Sequence, residues 1–131
     1  MCGIVGITST EDSVSDTLSG LQALEYRGYD SAGIACSINN TIHYKKSVGK
    51  ISNLINQLNK NQFEAKTSIA HTRWATHGRP HSLNAHPFVK DNCALVHNGI
   101  IENHDELISS FSIDRNNLES ETDTEVIAQL Y

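Results

Sequence analysis

The second residue of the chain is a cysteine, followed directly by Gly3. Removal of Met1 would leave Cys2 with a thiol and a free α-amine on the same residue. An unperturbed thiol has a pKa of about 8.5 and a terminal amine one of about 8, so near neutrality the amine can accept the thiol proton. A nucleophile served by its own amine is an established form of covalent catalysis. For this residue alone, a small cysteine buried in a first strand is the alternative.

Two charged residues are candidates for binding ligand charges of opposite sign. Arg73 ends a β-rich run and opens a glycine-containing loop, where a guanidinium fits a bidentate grip on a carboxylate. A structural ion pair is the alternative for Arg73. Asp123 falls in the first turn of a predicted helix, where a ligand ammonium or a favourable interaction with the helix dipole explains it equally well.

Asn98 and Gly99 are candidate donors to a developing negative charge. Asn98 supplies an amide N–H, and Gly99 supplies a backbone N–H with no side chain to block approach. Two donors aimed at one point would form an oxyanion hole. Asn-Gly is also the commonest tight hairpin turn, and this alternative stays open.

A charged, aromatic turn with two glycines, YRGYDSAG, joins a predicted helix to a predicted strand at residues 26–33. Such a turn can hold a side chain near the first strand. A helix C-cap at Gly28 would explain that glycine, but it leaves Arg27 and Asp30 together unexplained.

Four histidines fall between residues 71 and 86, at spacings of six, four and five. These spacings repeat no known zinc pattern, and no carboxylate or cysteine lies between them. The sequence therefore predicts no metal site and no cofactor. A histidine-rich metal module stays an alternative, which elemental analysis of the purified protein would decide.

The elements that must position these residues follow from hydrophobic periodicity and turn signals. Helices are expected at 12–25 and 51–58, and capping signals open two more at Asn103 and Thr122. Asn39-Asn40 predicts a hairpin between two strands. The predicted strands span 2–9 (buried), 31–38, 41–47, 67–73 and 93–98, with a long loop over 74–92.

Bulk properties indicate one ordinary globular domain. The chain has 131 residues, of which 38% are hydrophobic and 19% charged, and its net charge of −5 with scattered basic residues excludes an electrostatic nucleic-acid footprint. No apolar run approaches the roughly 18 residues needed to span a bilayer, and no signal peptide is present. Three widely separated cysteines argue against a disulfide framework and predict a reducing, cytoplasmic location.

Taken in order, six motifs resemble one family. MCGIVG, LEYRGYDSAG, HTRWATHG, NAHP, HNGIIEN and SETDTEVI are closely similar to the glutaminase domain of the glutamine–fructose-6-phosphate aminotransferases (isomerizing), which are class II glutamine amidotransferases. The resemblance covers essentially the whole chain, and other class II amidotransferases share mainly the MCGI start. It implies an α+β N-terminal-nucleophile hydrolase sandwich, with two antiparallel sheets between helical layers.

The resemblance also implies a role for each motif residue. Cys2, freed of Met1, would attack the side-chain amide of glutamine, with its own amine as base. Asn98 and the Gly99 N–H would hold the oxyanion, while Arg73 binds the α-carboxylate of glutamine and Asp123 its α-ammonium. The other implied residues are Trp74, Thr76 and His77, on a loop that closes over glutamine, and Arg27, in support of the nucleophile.

In that family the glutaminase domain continues past the equivalent of Tyr131 and precedes two sugar-isomerase domains that bind fructose 6-phosphate. We therefore expect residues 1–131 to be a partial amidotransferase domain with apolar strand surfaces left uncovered. A separately encoded isomerase part is one possible partner; an artificial truncation and the remnant of a decayed gene are the alternatives. By itself the polypeptide is expected to make little or no amino sugar, and a catalytically inactive fragment is the alternative reading.

Overall fold

The computed structural model describes residues 1–58, 63–75 and 79–131. Within these ranges, short 3-10 turns accompany strands and α-helices. The strands are β1 (Gly3–Thr8), β2 (Ser31–Ile38), β3 (Thr41–Val48), β4 (Thr67–Arg73), β5 (Phe88–Lys90) and β6 (Cys93–Leu95). The helices are α1 (Val14–Ala23), α2 (Ile51–Leu58), α3 (His104–Ser110) and α4 (Asp123–Ala128).

The larger sheet is antiparallel, with strand order β1-β4-β2-β3. Asn39 and Asn40 join β2 to β3 with φ angles of 51° and 60°, the left-handed values that a two-residue hairpin turn requires. The predicted hairpin is confirmed. Pairing of β4 with both β1 and β2 brings the start of β1 beside the end of β4, because Gly3 lies opposite Thr72.

Helices α1 and α2 cover one face of this sheet. Alternation along β2 turns Ala32, Ile34 and Cys36 toward them, where they pack with Leu21 and Leu54 in a fully enclosed core. Burial raises the pKa of the Cys36 thiol to about 11, so this cysteine stays protonated and unreactive at neutral pH.

The two-stranded sheet β5-β6 lies on the side of the opposite face, α4 packs on β5 and β6, and α3 packs on α4. The layers approach closely at Gly33 of β2, where an added Cβ would fall 1.9 Å from the carbonyl oxygen of His86. Only glycine fits there, because the clash would be with backbone. The order of layers is therefore helix, sheet, sheet, helix.

Several details differ from the sequence predictions. Strand β1 is present but not buried, because it is an edge strand with one neighbour, and Ile4 remains 42% exposed. The strand expected over 93–98 ends at Leu95, and the expected loop 74–92 contains β5. These short strands lack the length over which an alternating pattern can be recognised.

The capping signals place the helix starts correctly, although the side-chain bonds differ. Asn103 and Thr122 occupy the N-cap positions of α3 and α4, but neither side chain accepts a capping hydrogen bond. Glu125 instead accepts bonds from the N–H groups of Glu119 and Ser120, at 2.9 and 2.7 Å. It thereby secures the segment that leads into α4.

No helix in the described ranges has the length and apolar character needed to cross a membrane.

Candidate functional site

A cleft of about 220 Å³ opens where the start of β1, the end of β4, the segment after β6 and the start of α4 meet. Larger depressions, of about 430 and 520 Å³, lie elsewhere on the molecule and contain none of the predicted site residues. The cleft brings together six residues that the sequence singled out: Cys2, Arg73, Trp74, Asn98, Gly99 and Asp123. Thr76 and His77 lie outside the described residues.

Cys2 directly precedes β1, and its backbone is held from two sides. The carbonyl oxygen of Cys2 accepts a hydrogen bond from Arg27 Nε at 3.2 Å and one from Asn98 Nδ2 at 3.4 Å. Its thiol lies 3.9 Å from the carbonyl oxygen of Trp74. Arg27 thus contacts the backbone of the candidate nucleophile and does not line the cleft.

Arg73 is a buried cation at the end of β4, with 4% of its surface exposed. Burial lowers the pKa of its guanidinium, while Cys2, Asp30, Asp123 and Glu121 act in the opposite direction. An arginine side chain stays charged even so. Because Nη1 donates to the carbonyl oxygen of Arg79 at 3.4 Å, the guanidinium is held beneath the loop that follows β4.

The turn at residues 26–33 positions the backbone just after Arg73. Asp30 accepts the N–H of Ala75 at 2.7 Å through Oδ2, and its own N–H donates to the carbonyl oxygen of Arg73 at 3.1 Å. Gly28 has an extended φ of −178°, so it is not a left-handed cap. Its role is close approach, since an added Cβ would lie 2.6 Å from the carbonyl carbon of Arg73.

Trp74 forms part of the rim of the cleft and remains 45% exposed. Its ring meets that of Tyr29 edge to face, with centroids 5.8 Å apart and planes at 77°. The turn at residues 26–33 therefore supports Trp74 as well as the backbone beside it.

Asn98 and Gly99 lie between β6 and α3, and they do not join two strands. The hairpin alternative for this dipeptide is therefore wrong. Both residues are exposed and line the cleft.

Asp123 is the first residue of α4 and connects the helix to the segment after Gly99. Its Oδ2 accepts the N–H of Ile101 at 2.5 Å. Thr124 donates to Asp123 Oδ1 at 3.4 Å, and its hydroxyl also meets His97 Nδ1 at 3.2 Å. The carboxylate is therefore already oriented by protein groups where it lines the cleft.

The asparagine of the NAHP motif has a structural role that its sequence context did not indicate. Asn84 Oδ1 accepts the N–H of Glu121 at 2.8 Å, and its Nδ2 donates to Glu121 Oε2 at 2.9 Å. The same Nδ2 lies 3.0 Å from the carbonyl oxygen of Arg79. This side chain joins the loop after β4 to the segment before α4, 37 residues further along the chain.

The described histidines are not grouped with other potential metal ligands. Among the described residues, no three His, Cys, Asp or Glu side chains are grouped so that they could hold an ion. His71 and His86 stack on each other with ring centroids 4.0 Å apart, and His86 is among the residues that line the cleft. From the sequence, both residues were considered as possible metal ligands and as members of the HTRWATHG and NAHP motifs, with no role in the site assigned to them.

Two layers of antiparallel sheet between helices, with a cysteine leading into an edge strand, define the N-terminal-nucleophile hydrolase class, as predicted. Residues 56–131 match the family described as "Glutamine amidotransferase domain". The match covers more than half of the chain, and the chain belongs to this family.

Relatives with similar sequences carry one name, glutamine–fructose-6-phosphate aminotransferase (isomerizing). The protein of Wigglesworthia glossinidia brevipalpis is 51% identical over 133 residues, which cover 99% of this chain and 22% of the relative. That of Helicobacter pylori J99 is 51% identical over 131 residues, with the same coverage. The chain thus spans about a fifth of the length of these relatives.

Solved structures with similar folds come from a second kind of amidotransferase. The glutamine phosphoribosylpyrophosphate amidotransferase of B. subtilis, complexed with ADP and GMP, superposes with a TM-score of 0.81 at 28% identity. The superposition covers 99% of this chain and 29% of that protein. The layered architecture therefore extends over essentially the whole chain.

Proposed function

We propose that this chain is the glutamine-hydrolysing part of a glutamine–fructose-6-phosphate aminotransferase, in which it releases ammonia for amino sugar synthesis. The observation that carries the proposal is the single cleft containing Cys2, Arg73 and Asp123, beside Asn98 and Gly99. A free amino acid needs one cationic and one anionic group for recognition, and its side-chain amide needs a nucleophile. The cleft contains all of these groups.

The proposed reaction passes through a thioester. Once Met1 is removed, the α-amine of Cys2 accepts the thiol proton while Sγ attacks the side-chain carbonyl carbon of glutamine. Asn98 Nδ2 and the Gly99 N–H stabilise the oxyanion of the tetrahedral intermediate. Collapse of the intermediate transfers the proton to the leaving nitrogen and releases ammonia. Water then cleaves the thioester, which yields glutamate and the free thiol.

Recognition of glutamine is assigned to opposite charges on the walls of the cleft. Arg73 binds the α-carboxylate, because a guanidinium donates two parallel hydrogen bonds to such a group. Asp123 binds the α-ammonium with the carboxylate that Ile101 orients. Trp74, together with Thr76 and His77, belongs to the segment proposed to cover the bound substrate.

The acceptor part of the reaction is assigned to polypeptide outside these residues. Relatives named for fructose 6-phosphate are almost five times as long as the matched region. We infer that a sugar-isomerase part, on a longer chain or encoded separately, binds fructose 6-phosphate and receives the ammonia. Three apolar side chains on the sheet are exposed (Ile4 42%, Tyr44 50%, Val48 44%), which favours the presence of further polypeptide that packs over them. No role for nucleic acid or membrane is proposed.

The location proposed for the protein is the cytoplasm. Cys2, Cys36 and Cys93 are all free thiols, as a reducing compartment would maintain them.

A glutamine-like electrophile tests the proposal directly. Incubation followed by mass mapping is expected to show covalent modification of Cys2 in polypeptide that lacks Met1. Cys2→Ser should abolish labelling, whereas Cys93→Ser, the matched control at a half-exposed cysteine, should not. Modification that persists in the Cys2 variant and maps to Cys93 would reject Cys2 as the nucleophile.

Amino sugar formation tests the assignment of the acceptor part. The polypeptide of residues 1–131, mixed with glutamine and fructose 6-phosphate, is expected to form little or no glucosamine 6-phosphate. Appreciable formation by this polypeptide alone would contradict the need for additional sequence.

A further inference from the structure

The backbone N–H and carbonyl of His97, which directly precedes Asn98, each contact a buried histidine. His71 Nε2 lies 3.0 Å from the carbonyl oxygen of His97. The N–H of the same residue donates to His86 Nδ1 at 3.2 Å. The N–H and the carbonyl of one residue, which belong to two successive peptide groups, are thus engaged by two imidazoles that stack on each other with an interplanar angle of 14°.

Each contact determines where the ring proton lies. A carbonyl oxygen only accepts, so His71 must carry its hydrogen on Nε2. A backbone N–H only donates, so His86 must keep Nδ1 bare and carry its hydrogen on Nε2. A second proton on His86 would fall on Nδ1 and break its bond to the His97 N–H. Both bonds therefore exist together only while His86 is neutral.

The surroundings keep the two rings neutral. His71 and His86 are 0% and 5% exposed. Burial lowers the pKa of His71 to about 4, and the cation of Arg73 on the same strand acts in the same direction. Burial likewise lowers the pKa of His86 to about 2, aided by His71, Arg73, and Lys46 on β3. The side chain of His97 acts electrostatically in the same direction on both pKa values.

Within the described residues, Nδ1 of His71 is buried and makes no hydrogen bond. Leaving a polar atom unpaired costs free energy, which a purely apolar side chain at this position would avoid. Filling of space therefore does not explain a histidine at this position. The hydrogen bond from its Nε2–H to the His97 carbonyl does.

We propose that His71 and His86 are positioning residues that hold the backbone of His97 at its carbonyl and its N–H, as neutral Nε2–H tautomers, and so direct Asn98 and the Gly99 N–H toward the oxyanion of the reacting amide. The inference rests on the proposed function, because it concerns the same donors. His97 adds a third anchor through its contact with Thr124, beside Asp123. Donors that are misplaced by a fraction of an ångström lose much of their effect on a transition state.

Substitution of the two histidines in the full-length protein tests the positioning role. His71→Leu and His86→Leu remove the polar contacts. His71→Gln retains a donor where Nε2 stood, and His86→Asn retains an acceptor where Nδ1 stood. We expect the Leu variants to lower the kcat of glutamine hydrolysis by on the order of 10- to 100-fold. KM should stay within about threefold, since Arg73 and Asp123 remain in place, and the Gln and Asn variants should recover most of the rate.

His43→Leu is the matched control, because His43 is an exposed histidine on β3. Its kinetics should equal those of the unsubstituted protein. Equal rates in the Leu variants, or equal losses in the Leu and the conservative variants, would overturn the positioning role. So would a loss that appears in KM alone.

Tautomers provide a test that requires no substitution. Nitrogen-15 NMR of labelled histidine is expected to show both rings as neutral Nε2–H tautomers between pH 6 and 8. A cationic ring, or an Nδ1–H tautomer at either position, would overturn the inference even if the Leu variants fail to fold. Labelling of Cys2 separates this failure from that of the proposed function. A labelled Cys2 with unaffected Leu variants rejects only the positioning role.

Discussion

At the scale of single residues, the cleft combines groups that are held before any ligand arrives. The guanidinium of Arg73 lies beneath the Arg79 carbonyl, the carboxylate of Asp123 accepts from Ile101, and Asn98 reaches the backbone of Cys2. Preorganised groups spare a catalyst the cost of ordering them during the reaction. Substitutions in the cleft should therefore affect binding or chemistry with little effect on folding.

Arg73→Lys tests the binding part of the proposal. Lysine retains the charge but cannot form two parallel bonds to a carboxylate, so we expect KM for glutamine to rise on the order of 10- to 100-fold. Steady-state kinetics with glutamine as the varied substrate would measure the change. Arg115→Lys is the control, because the side chain of Arg115 is 62% exposed and pairs with Asp105. An unchanged KM in Arg73→Lys would remove Arg73 from substrate binding.

At the scale of elements, the turn before β2 and the loop after β4 form one unit. Gly28 packs against the Arg73–Trp74 backbone, and Asp30 accepts the N–H of Ala75 across a sequence separation of 45 residues. The motif at 26–33 therefore acts on the cleft through backbone contacts. We expect its effect on the proposed reaction to be indirect, through the placement of Arg73 and Trp74.

Gly28→Ala tests this contact between elements. The new Cβ would lie 2.6 Å from the Arg73 carbonyl carbon, a clash with backbone that no side-chain rotation can relieve. We expect a loss of about 1–3 kcal/mol in the free energy of unfolding, measured by urea denaturation. Gly6→Ala is the matched control, since its Cβ would meet no atom closer than 3.6 Å. Equal stability of the two variants would contradict the close packing at Gly28.

At the scale of the whole molecule, the second sheet is joined to the first through buried polar contacts as well as apolar ones. His71 of the large sheet stacks on His86 and bonds to His97, so neutral histidines lie at the junction of the two layers. Charging them would place a cation in a site that solvent does not reach. The stability of the fold is therefore expected to depend on pH.

The direction of this dependence follows from the pKa of His71. The folded value of about 4 lies below the unfolded value of 6.5, so the unfolded chain binds more protons between these limits. The contribution of His71 to stability is therefore full above pH 6.5 and declines as the pH falls toward 4, by up to about 3 kcal/mol. Urea denaturation at pH 7 and pH 5 would measure the decline. His71→Gln should show a shallower pH dependence, and an identical one would refute the assignment.

Much of the fold and of the candidate site could be predicted from the sequence, because both are encoded in local patterns. The β2–β3 hairpin follows from Asn39-Asn40, and α2 from apolar residues at helical spacing. Cys2, Arg73 and Asp123 were candidates because their types match chemical tasks, and the resemblance of the six motifs to one family gave each of them its implied role. The short strand β5 was not predicted, because three residues are too few to show an alternating apolar and polar pattern.

Only the tertiary structure decided how distant residues act on the cleft. Sequence patterns did not predict that Asn84 bonds to Glu121, 37 residues away. Nor did they predict that His71 and His86 bond to the backbone of His97, 26 and 11 residues away. Residues this far apart share no periodicity that would reveal the contact. A buried polar side chain takes its role from the partner that satisfies it, and that partner is set by packing of the layers. The sequence alone thus determined which residues could do chemistry, and packing determined how they are held.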